Sequence, residues 1–329
     1  MKIALDAMGG ELAPQATVEG ALLARKLWNI DTILVGDPEK IRPILAKAGE
    51  EMEIVTATET IGFDEHPAKA VRQKKDASIV VAAKLVADDK AGALVAAGST
   101  GAAMAASLLI YGRIKGINRP AIAFPMPTIK GMSLVLDGGA NPEAGANNLV
   151  DFALMGSLYM EKVIGVTSPK VSLLNIGEEE IKGTPEVVEA YQILKQSNLN
   201  FIGNVEGRDI TSGVADVIVC NGFVGNIVLK YTEGLAKGLF SIIKEAMLAN
   251  FQGKLGALLV KNNLRKVKTR LDYSEYGGAP LLGLKKITII SHGSSDAKAI
   301  ANAIRVANEA YSQKIVEATA QALEKRADS

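Results

Sequence analysis

The sequence is poor in the residues that build disulfides and transition-metal centres. Its 329 residues contain one cysteine, Cys220, and two histidines, His66 and His292. A lone cysteine excludes an internal disulfide and indicates a reducing, cytoplasmic compartment. So few His and Cys residues exclude the usual zinc clusters. We therefore expect no metal and no cofactor, although a Mg²⁺ site made of carboxylates stays open.

Charge of one sign is not in excess either. The chain has 37 basic and 36 acidic residues, so no overall field favours nucleic acid, and we expect no nucleic-acid partner. The opening MKIALDAMGG enters a strand-like run at once, without the long apolar core of a secretory signal. We expect a cytoplasmic protein without a signal peptide.

Only one long stretch lacks charge, AGALVAAGSTGAAMAASLLIYG at 91–112. A transmembrane helix needs about 20 mainly apolar residues. Alanine and glycine dominate here, however, and they favour insertion weakly. Gly98-Ser99-Thr100-Gly101 at its centre is a turn signal. The stretch therefore predicts a buried strand at 92–97, a turn at 98–101 and a helix at 102–111.

Strand-like and helical segments alternate along the rest of the chain. Strands are predicted at 3–6, 32–35, 53–56, 92–97, 133–136, 171–175, 201–203, 217–219 and 287–290. Helices are predicted at 16–28, 38–48, 67–87, 102–111, 147–163, 185–196, 224–250 and 296–325. This order is typical of an α/β fold with a mainly parallel sheet covered by helices.

Parallel sheets bind ligands beyond the carboxyl ends of their strands. Six turns rich in small and polar residues are predicted to converge there, at 6–10, 98–101, 137–141, 175–178, 221–226 and 291–295.

Glycine turns that open helices present N–H groups and the positive helix end, which suits phosphate. The chain has neither the G-x-x-x-x-G-K-[ST] loop nor a complete dinucleotide fingerprint, so ATP and NAD are not indicated. His292 either supports its turn or donates a hydrogen bond to a substrate anion. In GEEEIKGTPE, Lys182 is either part of a solvated loop or a charge clamp and proton donor beside the anion.

Several of these segments together resemble one family. DAMGGELAP, AVRQKKDAS, GSTGAAM, NIGEEEIKG, ADVIVCNGFVGNIVLK, YGGAPLLGLK and HGSSDAKA are similar, in order, to the PlsX family of bacterial phosphate acyltransferases. The resemblance runs over nearly the whole chain. It implies synthesis of acyl-phosphate from an acyl-carrier-protein thioester and inorganic phosphate, early in phospholipid synthesis. It also implies a three-layer αβα sandwich similar to phosphotransacetylases and to isocitrate and isopropylmalate dehydrogenases.

The chain departs from the family pattern at three places. Ser99 replaces a common Asn, Asn221 replaces an acidic residue, and Gly145-Ala146 replaces a basic residue followed by proline. The first two changes keep a hydrogen-bonding side chain. At the third, the cation is absent or its role is taken by another residue, for which Lys130 and Lys182 are candidates.

The turns and the resemblance together give a set of candidate site residues. The expected catalytic residues are Lys182, His292 and Asp6. The residues expected to bind phosphate or substrate are Gly9, Gly10, Gly98, Ser99, Thr100, Gly101, Asp137, Asn141, Asn221, Gly222, Asn226, Gly293, Ser294 and Ser295. Within this set, the turns 98–101 and 292–295 would cradle phosphate or the oxyanion, while Asp6, Asp137 and Asn226 would orient their neighbours.

A helix pair at 231–270 carries apolar residues at helical spacing and then the basic segment 254–271. Lys261, Arg265, Lys266, Lys268 and Arg270 make that segment a candidate for an anionic membrane surface or an acidic carrier protein. We expect one catalytic domain over 1–329, with lobes that meet near 125–135. The resemblance implies a homodimer, an acyl carrier protein as partner, and a downstream membrane acyltransferase.

Three other functions stay open on the sequence alone. One is a phosphate acyltransferase that uses coenzyme A. The second is an NAD- and metal-dependent decarboxylating dehydrogenase of similar fold. The third is a scaffold without catalysis that docks on a membrane.

Overall fold

The computed structural model describes residues 1–271 and 277–327, apart from the side chains of 266, 268–271 and 327. The strands are β1 (Ile3–Asp6), β2 (Thr32–Gly36), β3 (Glu53–Thr56), β4 (Ala93–Ala96), β5 (Ala121–Thr128), β6 (Gly131–Leu136), β7 (Val171–Asn175), β8 (Phe201–Glu206), β9 (Val217–Val219), β10 (Ala279–Leu282) and β11 (Ile287–Ile290). The helices are α1 (Gln15–Trp28), α2 (Pro38–Ala48), α3 (Pro67–Gln73), α4 (Ser78–Ala87), α5 (Thr100–Ile110), α6 (Ala146–Tyr159), α7 (Pro185–Lys195), α8 (Gly222–Leu248), α9 (Phe251–Leu271), α10 (Ala297–Ser312) and α11 (Ile315–Ala327).

The strands form one mixed sheet in the order β3-β2-β1-β4-β11-β10-β5-β6-β9-β7-β8. The pairings β11–β10, β10–β5 and β5–β6 are antiparallel, and the other pairings of neighbouring strands are parallel. Because three reversals follow one another, the parallel set β6, β9, β7 and β8 runs opposite to the parallel set β1 to β4 and β11.

Helices cover both faces of the sheet, which confirms the αβα sandwich. Side chains alternate between faces along a strand. Thus Ile3 and Leu5 of β1 lie in one buried cluster, together with residues of α1 and α10, whereas Ala4 lies in another cluster with residues of α4 and α5. A third cluster, around Phe124 and Val135, lies on the same face as the second, at the other end of the sheet.

Most predicted elements are confirmed, with three differences. The segment 67–87 forms two helices, α3 and α4, and the segment 296–325 forms α10 and α11. Strands β5 and β10 were not predicted. Since they are the strands that reverse the direction of the sheet, the expectation that all six turns lie at the carboxyl edge of one parallel sheet is wrong. The turns after β1, β4 and β11 follow strands of one direction, and those after β6, β7 and β9 follow strands of the other.

The predicted helix pair is confirmed as a hairpin of α8 and α9. Gly222 and Gly225 in the first turn of α8 are buried, but Tyr231, Leu235, Leu239 and Ile242 further along the helix are at least half exposed. Lys254, Lys261 and Arg265 of α9 are exposed, and the side chains of Lys266, Lys268 and Arg270 lie outside the described residues. None of the helices in the described ranges is both long and apolar enough to cross a membrane. The lobe boundary near 125–135 falls within the β5–β6 pair and stays a prediction.

Candidate active site

A cleft of about 460 Å³ opens between the amino-terminal parts of α5 and α8. Its floor is the sheet itself, where Ile122, Phe124, Ala279 and Ile290 of β5, β10 and β11 line the cleft. Thr100, Gly222 and His292 border the cleft at helix N-termini and at the turn after β11. We call it the α5–α8 cleft. Its volume is typical of a small-molecule site.

The N-terminus of α5 is one wall of this cleft. The Ser99 hydroxyl caps the helix by accepting a hydrogen bond from the Ala102 N–H at 3.3 Å. Thr100 and Gly101 in the first turn line the cleft. Backbone N–H groups at a helix start attract anions, because they have no carbonyl partner within the helix and because the helix dipole is positive there.

The turn after β1 fits closely against the turns after β4 and β11. A Cβ on Gly98 would lie 3.3 Å from the Cα of Gly9. Gly10 has φ of 111°, a conformation that favours glycine. The Glu11 N–H donates to the Gly293 carbonyl at 2.7 Å. Gly9, Gly10, Gly98 and Gly293, four of the predicted residues, are thus brought together by backbone contact.

Asp6 lies behind this junction rather than in the α5–α8 cleft. Its carboxylate accepts a hydrogen bond from the Met8 N–H at 3.2 Å, and the residue borders a small cavity with Gly9, Ser78 and Ser99. Burial raises the pKa of the Asp6 carboxyl above its ordinary value. These contacts suit a group that holds the β1 and β4 turns in place, and a catalytic role for Asp6 stays a prediction.

Asp137 organises the turn after β6. One carboxylate oxygen accepts from the N–H groups of Ile122, Gly139 and Ala140 at 3.0, 3.2 and 3.1 Å, and the other accepts from the backbone and side-chain N–H of Asn141 at 2.6 and 2.8 Å. Burial raises the pKa of this carboxyl, against the opposing effect of its N–H donors. Both oxygens accept hydrogen bonds within the turn, which suits the expected role of orienting neighbours, and a direct contact of Asp137 with a ligand stays a prediction.

Asn141 joins the turn after β6 to the start of α8. Its side chain also donates to the Pro120 carbonyl at 2.7 Å, and its own carbonyl accepts from the Gly222 N–H at 2.7 Å. Asn221 caps α8 by accepting from the Val224 N–H at 2.9 Å. Gly222 and Asn226 line the α5–α8 cleft, so the first turns of α8 form its second wall.

The turn after β11 carries His292 into the cleft. The His292 ring nitrogen Nδ1 lies 2.8 Å from the Ser294 Oγ and accepts from the Ser294 N–H at 3.2 Å. A ring nitrogen that accepts an N–H carries no proton, so in the neutral ring the proton is on Nε2. The Ser295 N–H donates to the His292 carbonyl at 3.0 Å, which closes the turn. His292 can therefore donate a hydrogen bond from Nε2.

Lys182 is not brought to the α5–α8 cleft. It lies on an exposed loop after β7, where its carbonyl accepts a hydrogen bond from the Asn175 side chain at 2.8 Å. It does not line the cleft among the described residues. Its catalytic role therefore stays a prediction without support from the geometry of this chain.

Most of the residues that line the cleft were absent from the predicted site, among them Ser291, Phe223, Lys230 and Glu233. Ser291 is buried, with 5% of its surface exposed, and its hydroxyl has no hydrogen-bond partner among the described residues. Phe223 lines the cleft with 63% exposure, and Lys230 and Glu233 form an ion pair of 3.2 Å there. Ser291 and Phe223 lie within predicted turns. Lys230 and Glu233 follow Asn226 at helical spacing, which is the signal that could have found them.

No group of three or more His, Cys, Asp or Glu residues able to hold a metal ion occurs in the part of the chain that the structure describes. The polar groups that line or border the cleft are helix N-termini, hydroxyls, amides, one imidazole and the Lys230–Glu233 ion pair.

Solved structures with a similar fold include two phosphotransacetylases and a dehydrogenase. A phosphotransacetylase from Streptococcus pyogenes superposes with a TM-score of 0.62 at 19% identity, covering 98% of this chain and 94% of that one. The EutD phosphotransacetylase from Staphylococcus aureus gives 0.61 at 17% identity, with 94% of each chain covered. A 4-hydroxythreonine-4-phosphate dehydrogenase from Klebsiella pneumoniae gives 0.52 at 14% identity, covering 94% of this chain and 99% of that one. These similarities confirm the predicted fold class.

Sequence comparison identifies the family. The model described as fatty acid synthesis protein matches residues 1–318. A phosphate acyltransferase of Desulfitobacterium hafniense is 56% identical over 321 residues, which is 96% of each chain. One from Heliobacterium modesticaldum is 55% identical over 322 residues, covering 97% of this chain and 96% of the relative. The chain therefore belongs to the PlsX family of phosphate acyltransferases.

Proposed function

We propose that this protein transfers a long-chain acyl group from an acyl-carrier-protein thioester to inorganic phosphate. The products are acyl-phosphate, a precursor for phospholipid synthesis, and the free thiol of the carrier. The observation that carries the proposal is the α5–α8 cleft, because two helix N-termini and the His292 turn meet there above an apolar floor. One end suits a phosphate and the rest suits an aliphatic chain.

Phosphate is itself the nucleophile, so no serine or cysteine intermediate is required. A phosphate oxygen attacks the thioester carbonyl, and a tetrahedral oxyanion forms. The C–S bond then breaks, and the proton of the hydrogen phosphate passes to the leaving thiolate. N–H donors that are fixed before the reaction stabilise such an oxyanion. The Nε2–H of His292 and the N–H groups of the first turns of α5 and α8 are the candidate donors.

The carrier, the oligomer and the membrane belong to the same proposal. We propose an acyl carrier protein as thioester donor, a homodimer, and peripheral contact with an anionic membrane, from which a membrane acyltransferase would take the product. The exposed apolar side chains of α8 and the basic residues of α9 support a contact surface on the hairpin.

The test measures phosphate-dependent release of carrier thiol and formation of radiolabelled acyl-phosphate from palmitoyl-carrier protein. We expect His292→Gln to lower kcat by about 100-fold, since one lost oxyanion donor has an effect of this order. His66→Gln is the matched control, because His66 is exposed at the start of α3 and does not line the cleft. Release of thiol from palmitoyl-coenzyme A alone would favour the coenzyme A-dependent alternative, and no phosphate-dependent release from either donor would reject the proposal.

Lys182→Ala tests the second catalytic assignment. A sharp fall in kcat with an unchanged melting temperature would show that the loop after β7 reaches the reacting groups. Unchanged turnover would remove Lys182 from the mechanism.

A further inference from the structure

The floor of the α5–α8 cleft is a strip of apolar sheet. Ile122 and Phe124 alternate with alanines along β5, so both point to the cleft face. A Cβ on Gly138 would lie 2.8 Å from the Phe124 ring and 3.2 Å from Ile122 Cγ2, so this turn packs closely against both side chains at the edge of the strip. Ile290 of β11 and Ala279 of β10 continue the strip.

The strip lies at the boundary between two packed regions. Ile122 and Ile290 belong to the buried cluster under α4 and α5, whereas Phe124 belongs to the cluster that packs against α8. On the opposite face, Ala121, Ala123 and Ile289 are buried in the cluster of α6 and α10. The cleft is therefore the gap between α5 and α8 on one face of the sheet.

One face of α8 follows this gap for three turns. The lining residues Gly222, Phe223, Asn226, Leu229, Lys230 and Glu233 are spaced as on one side of a helix. From 222 to 233 the helix advances about 16 Å at 1.5 Å per residue. Gly222 and Asn226 lie where the cleft meets the helix N-termini, which we call its anion end. Leu229 lies partly buried further along, and the Lys230–Glu233 ion pair follows.

We infer that this strip, walled by Met104 of α5 and by Phe223 and Leu229 of α8, holds the acyl chain of the substrate. The inference rests on the proposed function, because it takes the anion end of the same cleft as the phosphate site. Burial of apolar surface is favourable by about 0.8 kcal/mol per methylene, and a chain lying on this floor gains it continuously away from the carbonyl. Leu229, two turns from the anion end, is then a residue that determines chain-length preference.

The experiment uses two readouts of the full chain with Leu229→Trp. In the first, calorimetry compares butyl phosphate with dodecyl phosphate, which present a phosphate and a chain but undergo no acyl transfer. We expect the native chain to bind dodecyl phosphate more tightly, and Leu229→Trp to lose most of that preference. In the second, kcat/KM is measured with octanoyl- and palmitoyl-carrier protein. Each methylene that no longer fits is expected to lower the palmitoyl value by about fourfold relative to the octanoyl value.

Ile227→Trp is the matched control, because Ile227 is 51% exposed on α8 and does not line the cleft. Met104→Trp narrows the cleft from the other wall. Its control is Leu109→Trp, because Leu109 is exposed on the same helix. With two variants on different walls, a folding defect in one of them does not decide the result.

The inference is overturned if the native chain binds the two alkyl phosphates equally. It is also overturned if Leu229→Trp and Met104→Trp both keep the native preference for dodecyl phosphate. If the protein prefers dodecyl phosphate but turns over no carrier thioester, the proposed function is rejected and the binding site for an alkyl chain is still supported.

Discussion

Ser291 shows how a single buried hydroxyl can separate binding from stability. It follows β11 and borders the α5–α8 cleft, yet its Oγ has no partner among the described residues. An unsatisfied buried hydroxyl costs about 1–3 kcal/mol. Removing it should therefore leave the fold as stable as before or more stable, while any hydrogen bond that it makes to a ligand is lost.

We predict that Ser291→Ala keeps or raises the urea midpoint and raises the KM for phosphate several-fold. Ser107→Ala is the control, because the Ser107 hydroxyl is buried and lies 2.9 Å from Thr288 Oγ1 and 2.7 Å from the Tyr111 hydroxyl. It should lower the free energy of unfolding by about 1–3 kcal/mol. A destabilised Ser291→Ala with native KM would mean that the hydroxyl serves the fold.

At the scale of residues, the sequence indicated which residues lie near the site better than it indicated what each of them does there. Thr100, Gly101, Gly222 and His292 were expected near an anion, and they do border one cleft. Asp137 was expected to bind substrate or to orient its neighbours, and its carboxylate accepts five N–H hydrogen bonds because the turn after β6 folds around it. Which carboxylates serve turns and which face ligands depends on contacts between distant segments, and these are not visible in local sequence.

At the scale of elements, β5 and β10 are the strands that the sequence did not predict, and they are the ones that reverse the direction of the sheet. β5 reads AIAFPMPT and β10 reads APLL. Proline donates no N–H to a ladder, so proline within an apolar run argues against a strand. β5 pairs with β10 only over Ala121 and Ile122, and with β6 from Ala123 to Thr128. Pro125 and Pro127 therefore lie where β5 has a neighbouring strand on one side only, and a strand tolerates proline there. The antiparallel pairing of β5 and β10 is tertiary information, whereas β1, β7, β9 and β11 were predicted with correct bounds from their own apolar runs.

At the junction of α8 with the turn after β6, a wall of the cleft packs closely against its neighbour. A Cβ at Gly225 would lie 1.9 Å from the Asp137 carbonyl oxygen, so any side chain forces the helix away. We predict that Gly225→Ala lowers the free energy of unfolding by at least about 2 kcal/mol, in the range of overpacked cores, and lowers activity. Chemical denaturation and the transfer assay measure both.

Gly234→Ala on the same helix is its control, since a Cβ there meets no atom within 4 Å among the described residues. Alanine is favoured over glycine in a helix interior by about 0.8–1.0 kcal/mol, so this variant should be more stable. If both variants behaved alike, close packing at Gly225 would not be the reason for the glycine.

At the scale of the whole molecule, α8 links three regions. Its N-terminus forms a wall of the cleft, its first turns pack on β6, and its later turns form the exposed hairpin with α9. Cys220 lies just before this helix, where its backbone N–H donates to Leu136 and its carbonyl accepts from the Asp137 N–H. Because it is the one cysteine of the chain, it is a single chemical reporter for the packing of this junction.

Burial raises the pKa of the Cys220 thiol to about 12, with a further contribution from the charge of Asp137. The thiol of an unfolded cysteine has a pKa of about 8.5. Between these values the folded chain holds a proton that the unfolded chain has released, so the contribution of the thiol to stability falls as pH rises, by at most about 1.4 kcal/mol per pH unit. We predict that urea midpoints of the native sequence fall more steeply from about pH 8.5 to about pH 10 than those of Cys220→Ala. The buried tyrosines Tyr111 and Tyr159 also have raised pKa values, but both proteins contain them, so their contribution cancels from the comparison. Equal slopes for the two proteins would show that the thiol reaches solvent in the folded state, and iodoacetamide would then label it without urea.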